Sequence, residues 1–189
     1  MILPIVAYGD AILRKRGENI DKKYPELQKL IDDMFETMEN ARGVGLAAPQ
    51  INKSIRLFVV DSTRMSDDDE GEVGSPDGIR EVFLNPKLFD ETGKEWAYEE
   101  GCLSIPGVRE NVTRLDTISI QYYDRNFDFH EKTFDGLTAR VIQHEYDHIE
   151  GKLFIDHLKP LKRTLLKGKL DNISKGKVSV DYKMRFPKK

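Results

Sequence analysis

The 189-residue chain is 39% hydrophobic and 33% charged with a formal net charge of −3, enough apolar material for one domain, residues 1–189, with a core of its own. Its single cysteine, Cys102, excludes an intramolecular disulfide, and no run approaches the roughly 20 apolar residues a membrane helix needs. No charged start with an apolar core and cleavage site opens the chain, so a soluble protein of a reducing, cytoplasmic compartment is expected.

Residues 1–20 form a mixed opening with turn signals at Gly9-Asp10 and Gly17. Residues 24–40 give the clearest helix: Leu27, Leu30, Ile31, Met34, Phe35 and Met38 repeat at helical spacing, with Pro25 in the first turn and Gly43 at the exit. All six apolar residues are expected in the core. Gly43-Val44-Gly45-Leu46-Ala47-Ala48-Pro49-Gln50 is either a helix-to-strand turn or a place where backbone comes close to a ligand. Residues 55–60 predict a strand buried on both faces. Residues 61–80 have no periodicity and contain Asp67-Asp68-Asp69-Glu70, whose spacing is not that of an EF-hand loop; a mobile acidic surface insertion is expected.

Strands are predicted at 81–85 and 94–99. Glu100-Gly101-Cys102-Leu103-Ser104-Ile105-Pro106-Gly107 should then leave the sheet as a loop. Ile118, Ile120 and Tyr122 alternate with polar residues in a half-buried strand, 115–124. Arg125-Asn126 should turn into a hairpin partner at 127–134, which includes a structural or surface His130. A helix over 137–150 ends before Gly151. Pro160 opens a third, short helix, with Leu161, Leu165, Leu166 and Leu170 inward, and Val178, Val180 and Tyr182 suggest a last strand over 177–183. From residue 161 to 189, ten Lys or Arg face two acids, so this tail is about +8 and the remainder about −11. Such a tail is either a solvated face or a contact for a polyanion such as RNA. The expected class is α+β: antiparallel or mixed sheets around a central helix, with an N-terminal helix and a C-terminal helix-plus-strand tail.

The chemistry sits in His144-Glu145-Tyr146-Asp147-His148. On a helix, histidines four apart share a face and can grip one metal ion, with the glutamate close enough to hold a water. Leu137, Val141, His144 and His148 fall on that face, so the ligands project from a buried stripe into a pocket. A catalytic site of this kind needs a third ligand and an open position. Cys102, His130, His157 and an acid are the candidates, with Cys102 preferred because a thiolate suits zinc or ferrous iron. A plain buried cysteine is the alternative. Asp147 either orients a neighbour or pairs with an arginine such as Arg114.

Three separated stretches resemble the motifs of peptide deformylases: Gly43 to Gln50, Glu100-Gly101-Cys102-Leu103-Ser104, and Gln143-His144-Glu145-Tyr146-Asp147-His148. The resemblance runs to about Leu161. It implies that Cys102, His144 and His148 hold one divalent metal, Fe2+ or else Zn2+, Ni2+ or Co2+, with a water in the fourth position. It also implies that Glu145 is the general base, and that the Gln50 side chain and Leu103 backbone N–H stabilise the oxyanion. The substrate would be the N-formyl group of a new polypeptide, with Val44, Gly45, Gly101, Arg109, Leu137 and Val141 around it. Residue by residue, ordinary core or surface remains the other reading of these six. A ribosome contact through the basic tail is the expected partner beyond the peptide; no DNA or membrane is expected. The competing readings are an endopeptidase, which needs a further His or Glu ligand, and an RNA-binding module with a closed, structural metal.

Overall fold

The structure, a computed structural model, describes residues 1–65 and 78–187. The acidic run of the expected insertion, within residues 66–77, lies outside the described residues. The elements in order are β1 (Ile5–Val6), α1 (Leu27–Asn40), β2 (Gly45–Ala47), β3 (Leu57–Asp61), β4 (Arg80–Cys102), β5 (Ile105–Tyr123), β6 (Phe129–Asp135), α2 (Gly136–Ile149), α3 (Pro160–Ser174) and β7 (Met184–Arg185). Short 3-10 turns lie at Ala11–Arg14, Ala48–Ile51 and Phe154–His157. β2-β3-β4-β5-β6 form one antiparallel sheet, while β1 and β7 pair in parallel. The α+β class is as expected.

The six apolar residues of α1 are buried, as their helical stripe requires. The helix starts later than expected, because Glu26 takes a left-handed conformation (φ 53°) that separates Pro25 from the helical run. Its exit is made by Arg42 at φ 55°, not by Gly43. β3 is buried along its whole length, from Leu57 to Asp61.

The largest difference concerns β4. The two strands expected at 81–85 and 94–99 are one strand of 23 residues. Register shifts between Leu84 and Lys87, and between Thr92 and Glu95, absorb Pro86, which has no N–H to give, and Gly93 at φ 84°. The stretch after Glu99 does not leave the sheet. Cys102 pairs with Ile105 across a two-residue turn, Leu103-Ser104, and β5 returns directly. Pro106 is tolerated because it lies at the start of that strand. β6 begins at Phe129, not at residue 127, since Phe127 is left-handed (φ 63°) and the Asp124 side chain accepts from the N–H groups of Asn126 and Asp128.

α2 crosses the sheet, touching β2, β3, β5 and β6. Ala139, Val141, Ile142 and Ile149 pack there on Phe58, Phe83 and Tyr122, whose rings stack at 4.7 and 4.3 Å. In α3, Leu166, Leu170 and Ile173 are buried, but Leu161 and Leu165 are each 72% exposed, against expectation. Leu165 lies about 100° round the helix from Leu166, off the stripe that meets the core. The last strand is likewise displaced: residues 177–183 are irregular, and pairing with β1 falls at Met184–Arg185.

The helix face gives a direct test. Leu166→Ala is expected to lower stability by about 2–5 kcal/mol. Leu165→Ala, one residue away, should stay within about 0.5 kcal/mol of the wild type. Urea unfolding of both variants would separate the two faces, and equal losses would contradict this packing.

Candidate active site

The turn closing β4 and β5 faces the middle of α2, and this brings the three expected ligands together. The donor atoms of Cys102, His144 and His148 lie within 4.8 Å of one another. Among the described residues they are the one His/Cys/Asp/Glu group able to hold a metal. Cys102 Sγ is 3.3 Å from His148 Nε2. Two ligands of one tetrahedral zinc, at about 2.3 and 2.0 Å from it, would be about 3.5 Å apart. Burial alone would raise the Cys102 thiol, but the charge of His148 and hydrogen bonds from both histidines bring it down to about 5. The donor set therefore fits a divalent cation.

His144 is aimed by a partner that sequence reasoning missed. Its Nδ1 meets Glu100 Oε2 at 2.9 Å, which leaves Nε2 for the metal side. Glu100 is buried and also accepts from Arg114 Nε at 2.7 Å and Arg140 Nη1 at 2.9 Å. Burial pushes this carboxyl up, but His144 and Arg114 outweigh it and hold it well below the usual carboxylate range. Arg114 reaches on to Asp147 at 2.9 Å, one of the two roles open to Asp147 from sequence, and Asp147 also meets His157 Nε2 at 2.8 Å. His157 is thus engaged away from the metal cluster. His130 stacks on Tyr122 and meets Asp124, so it too is structural.

Signals for both arginines were present, although their grip on Glu100 was not foreseen. Arg114 continues the inward even positions of β5, with Val112 and Ile118. Arg140 precedes His144 by one helical turn. The family-like stretch opens on Glu100 and omits Glu99, but gave Glu100 no role; pairing with β5 turns Glu100 inward and leaves the Glu99 side chain 60% exposed.

Glu145 is buried, and its Oε2 has no hydrogen-bond partner among the described residues. Burial raises its carboxyl to about 7, with the charges of His144 and His148 opposing. Its carboxyl carbon would lie 2.7 Å from a Cβ at position 45, so glycine there makes room for it. Gln50 is buried in the 3-10 turn after β2. Its Oε1 accepts from the Ala47 N–H at 2.8 Å, which fixes the amide and turns Nε2 to Ser104 Oγ (3.2 Å) and Cys102 Sγ (3.5 Å). No turn, loop or cap bond among the described residues takes up the Leu103 backbone N–H.

A cavity of about 820 Å³ opens over these groups. Val44, Gly45, Gly101, Arg109 and Val141 line it alongside Gln50, Cys102, Leu103, His144 and Glu145. Leu137 does not line it; seven residues before His144, it lies about 10 Å down the helix axis. Arg109 is tied to Glu99 at 2.8 Å on the rim. Met65 and residues 179–182 also line the cavity, and neither was expected to.

The sequence model of the polypeptide deformylase family matches residues 2–164. The chain belongs to that family. It is 57% identical to a peptide deformylase of Christiangramia forsetii over 99% of this chain and 97% of that one. It is 54% identical to a peptide deformylase of Cytophaga hutchinsonii, over 99% and 98%. A crystal structure of a Legionella pneumophila peptide deformylase superposes with a TM-score of 0.78 at 41% identity, covering 94% of this chain and 98% of that one. The family is metal-dependent and hydrolyses the N-formyl group from N-terminal methionine, and this is the activity of the chain.

Glu100 supplies the prediction here. Glu100→Gln leaves Arg140 buried without its counter-charge and Arg114 with Asp147 alone, and should cost about 3–5 kcal/mol at neutral pH. A carboxyl whose folded pKa is depressed stabilises fully above its unfolded value, about 4.3, and loses that contribution as pH falls toward the folded value. The deficit of the variant should therefore shrink below about pH 4.3, as denaturant titrations across pH would measure. A pH-independent deficit would contradict the ion-pair assignment.

Proposed function

We propose that Cys102, His144 and His148 hold one Fe2+ ion, a site whose donors also accept Zn2+, Ni2+ or Co2+, and that Glu145 moves the protons of deformylation. The observation behind this reading is the buried, unpartnered Glu145 Oε2 beside the three donors. A cation bound there supplies a Lewis acid and lowers the pKa of a water to about 7. Glu145 takes the proton of the attacking water. Oxygen adds to the formyl carbon, the C–N bond breaks, and Glu145 returns the proton to the departing amine, so formate and a free N-terminus leave. A carboxyl titrating near neutrality suits both steps.

The Gln50 Nε2 and the Leu103 N–H donate to the oxyanion that forms. An amide serves at position 50 where a carboxylate would repel the developing charge. Such a donor is worth about 3 kcal/mol in the transition state. Val44 and Val141 wall the methionine side chain, Gly45 and Gly101 let an extended peptide lie close, and Arg109 meets its carbonyls. Residues 1–189 act as one domain: α3 buries Leu166, Leu170 and Ile173 in the same cluster as Val6 and Ile105.

The test combines metal content with turnover of a formyl-Met peptide under anaerobic conditions. Wild type and Glu145→Gln should carry equal iron, with turnover of the variant lower by about 10²–10⁴-fold. Air should inactivate the wild type as Fe2+ and the thiolate oxidise. Full activity of Glu145→Gln would sink the proton role, and oxygen-insensitive activity would sink iron.

The working place we propose is the cytoplasm, at the ribosome, through the basic tail; among the described residues no helix is long and apolar enough to cross a membrane. Deleting the tail would unpack the core, so the exposed Arg163, Lys167 and Lys169 are the better probes. Reversing all three to Glu should abolish cosedimentation with ribosomes at low salt while formyl-Met-peptide turnover persists. Undiminished cosedimentation would remove the basis for this contact.

A further inference from the structure

After α3 the chain comes back to the active site. Ser179, Val180, Asp181 and Tyr182 line the cavity, on the side of Arg42 and Leu103. The match to the family's sequence model ends at residue 164, so this wall lies beyond that model, although the relatives named above align over 99% of the chain. Two contacts fasten it. Asp181 pairs with Arg42 at 2.7 Å, and the Tyr182 hydroxyl donates to the Leu103 carbonyl at 2.8 Å.

The two fastenings are unequal. The Arg42 and Asp181 side chains are 83% and 64% exposed, and solvent screens such a pair until it contributes little. The Tyr182 bond is better sheltered. Its ring packs, with Leu103, against the core cluster that contains α1. Its acceptor belongs to the residue that follows Cys102 in the turn between β4 and β5.

Elsewhere that turn is held by segments that precede it in the chain. The Ser104 carbonyl accepts from the Tyr8 N–H at 2.8 Å, and Ser104 Oγ accepts from Gln50 Nε2 at 3.2 Å. The Leu103 side chain stands over Gly43, where a Cβ would come within 2.8 Å of Cδ1. The Leu103 carbonyl is the group that only the tail reaches among the described hydrogen bonds. Fixing that carbonyl holds the Leu103–Ser104 peptide plane and so steadies the two-residue turn, from whose preceding peptide plane the Leu103 N–H projects.

We propose that Tyr182 is a positioning residue for deformylation: by holding the Leu103 carbonyl its hydroxyl steadies the turn that presents the Leu103 N–H to the reacting carbonyl oxygen. The inference rests on the oxyanion role assigned to Leu103 above. A tail that merely docked on the surface would add stability without touching the chemical step. A positioning bond acts on the step itself, so it moves kcat and leaves the binding of the peptide alone.

The experiment compares the metal-loaded wild type with Tyr182→Phe, which keeps the ring in the wall and loses only the hydroxyl. Metal content, thermal midpoint, kcat and KM for a formyl-Met peptide are measured on both. The expected result is a kcat lower by about fivefold, the scale of one neutral hydrogen bond, with KM and metal content unchanged. An unchanged kcat in the variant, with an active wild type, overturns the proposal alone. Loss of metal or of the folded state in step with turnover also overturns it, since the hydroxyl would then be structural support. A wild type inactive on the peptide overturns the deformylase mechanism and this inference with it.

Discussion

The buried carboxylate of Glu100 joins the two halves of the site. It lies at the end of β4, two residues before Cys102, and it grips His144 on α2. Without this contact the thiol and the histidines would belong to separate elements, brought near one another only by packing. Two arginines share the same carboxylate, Arg114 from β5 and Arg140 from α2. Strand, neighbouring strand and helix therefore meet at one charge. Taking such a group out of water is costly, and it is tolerated here because its oxygens are occupied by guanidinium and imidazole donors. Arg114 passes the contact on to Asp147, and Asp147 to His157, so the polar network continues to the segment after α2.

Around this fixed point the two acids of the site have opposite environments. Glu100 sits among cations and stays ionised. Glu145, one residue along α2 from His144, has one oxygen with no protein partner among the described residues, and burial raises it to about 7. In the mechanism proposed above, the two carboxyl groups divide the work of orientation and proton transfer, and their surroundings, not their chemistry, make the difference. Gly45 belongs to the same arrangement, since any side chain there would collide with the Glu145 carboxyl. The glycine that could be read as a turn residue is needed for space.

The long β4–β5 ribbon explains how a cysteine can be presented with such economy. Its two-residue turn holds Cys102 at the edge of the cavity, and the turn is pinned by the N-terminal segment, by Gln50 and by the tail. The helix of the tail is half core and half surface. Leu166, Leu170 and Ile173 anchor it, which leaves its basic side free to face outward and carries the following residues back over the cavity.

Local pattern determined a good deal by itself. The helical stripes of α1 and α2, the inward alternation of β5 and the spacing of His144 and His148 follow from periods of 3.6 and 2, which neighbours in sequence set directly. The helical period brought the candidate ligand face of α2 within reach of reasoning, while Cys102 stood out as the single cysteine and through the motif that contains it. What they could not decide is how segments distant in sequence meet. Glu99 and Glu100 are chemically alike, and only the register against β5 turns one outward and the other to His144. Cys102 was expected on a loop leaving the sheet, yet bulges let β4 continue to the residue itself. Leu137 shares the ligand face but lies too far down the axis to meet the cavity, and residues 179–182 reach it from a tail whose pattern suggested a plain strand. In each case the deciding quantity was a distance between elements, fixed by burial and pairing across the whole chain and invisible to any short window of sequence.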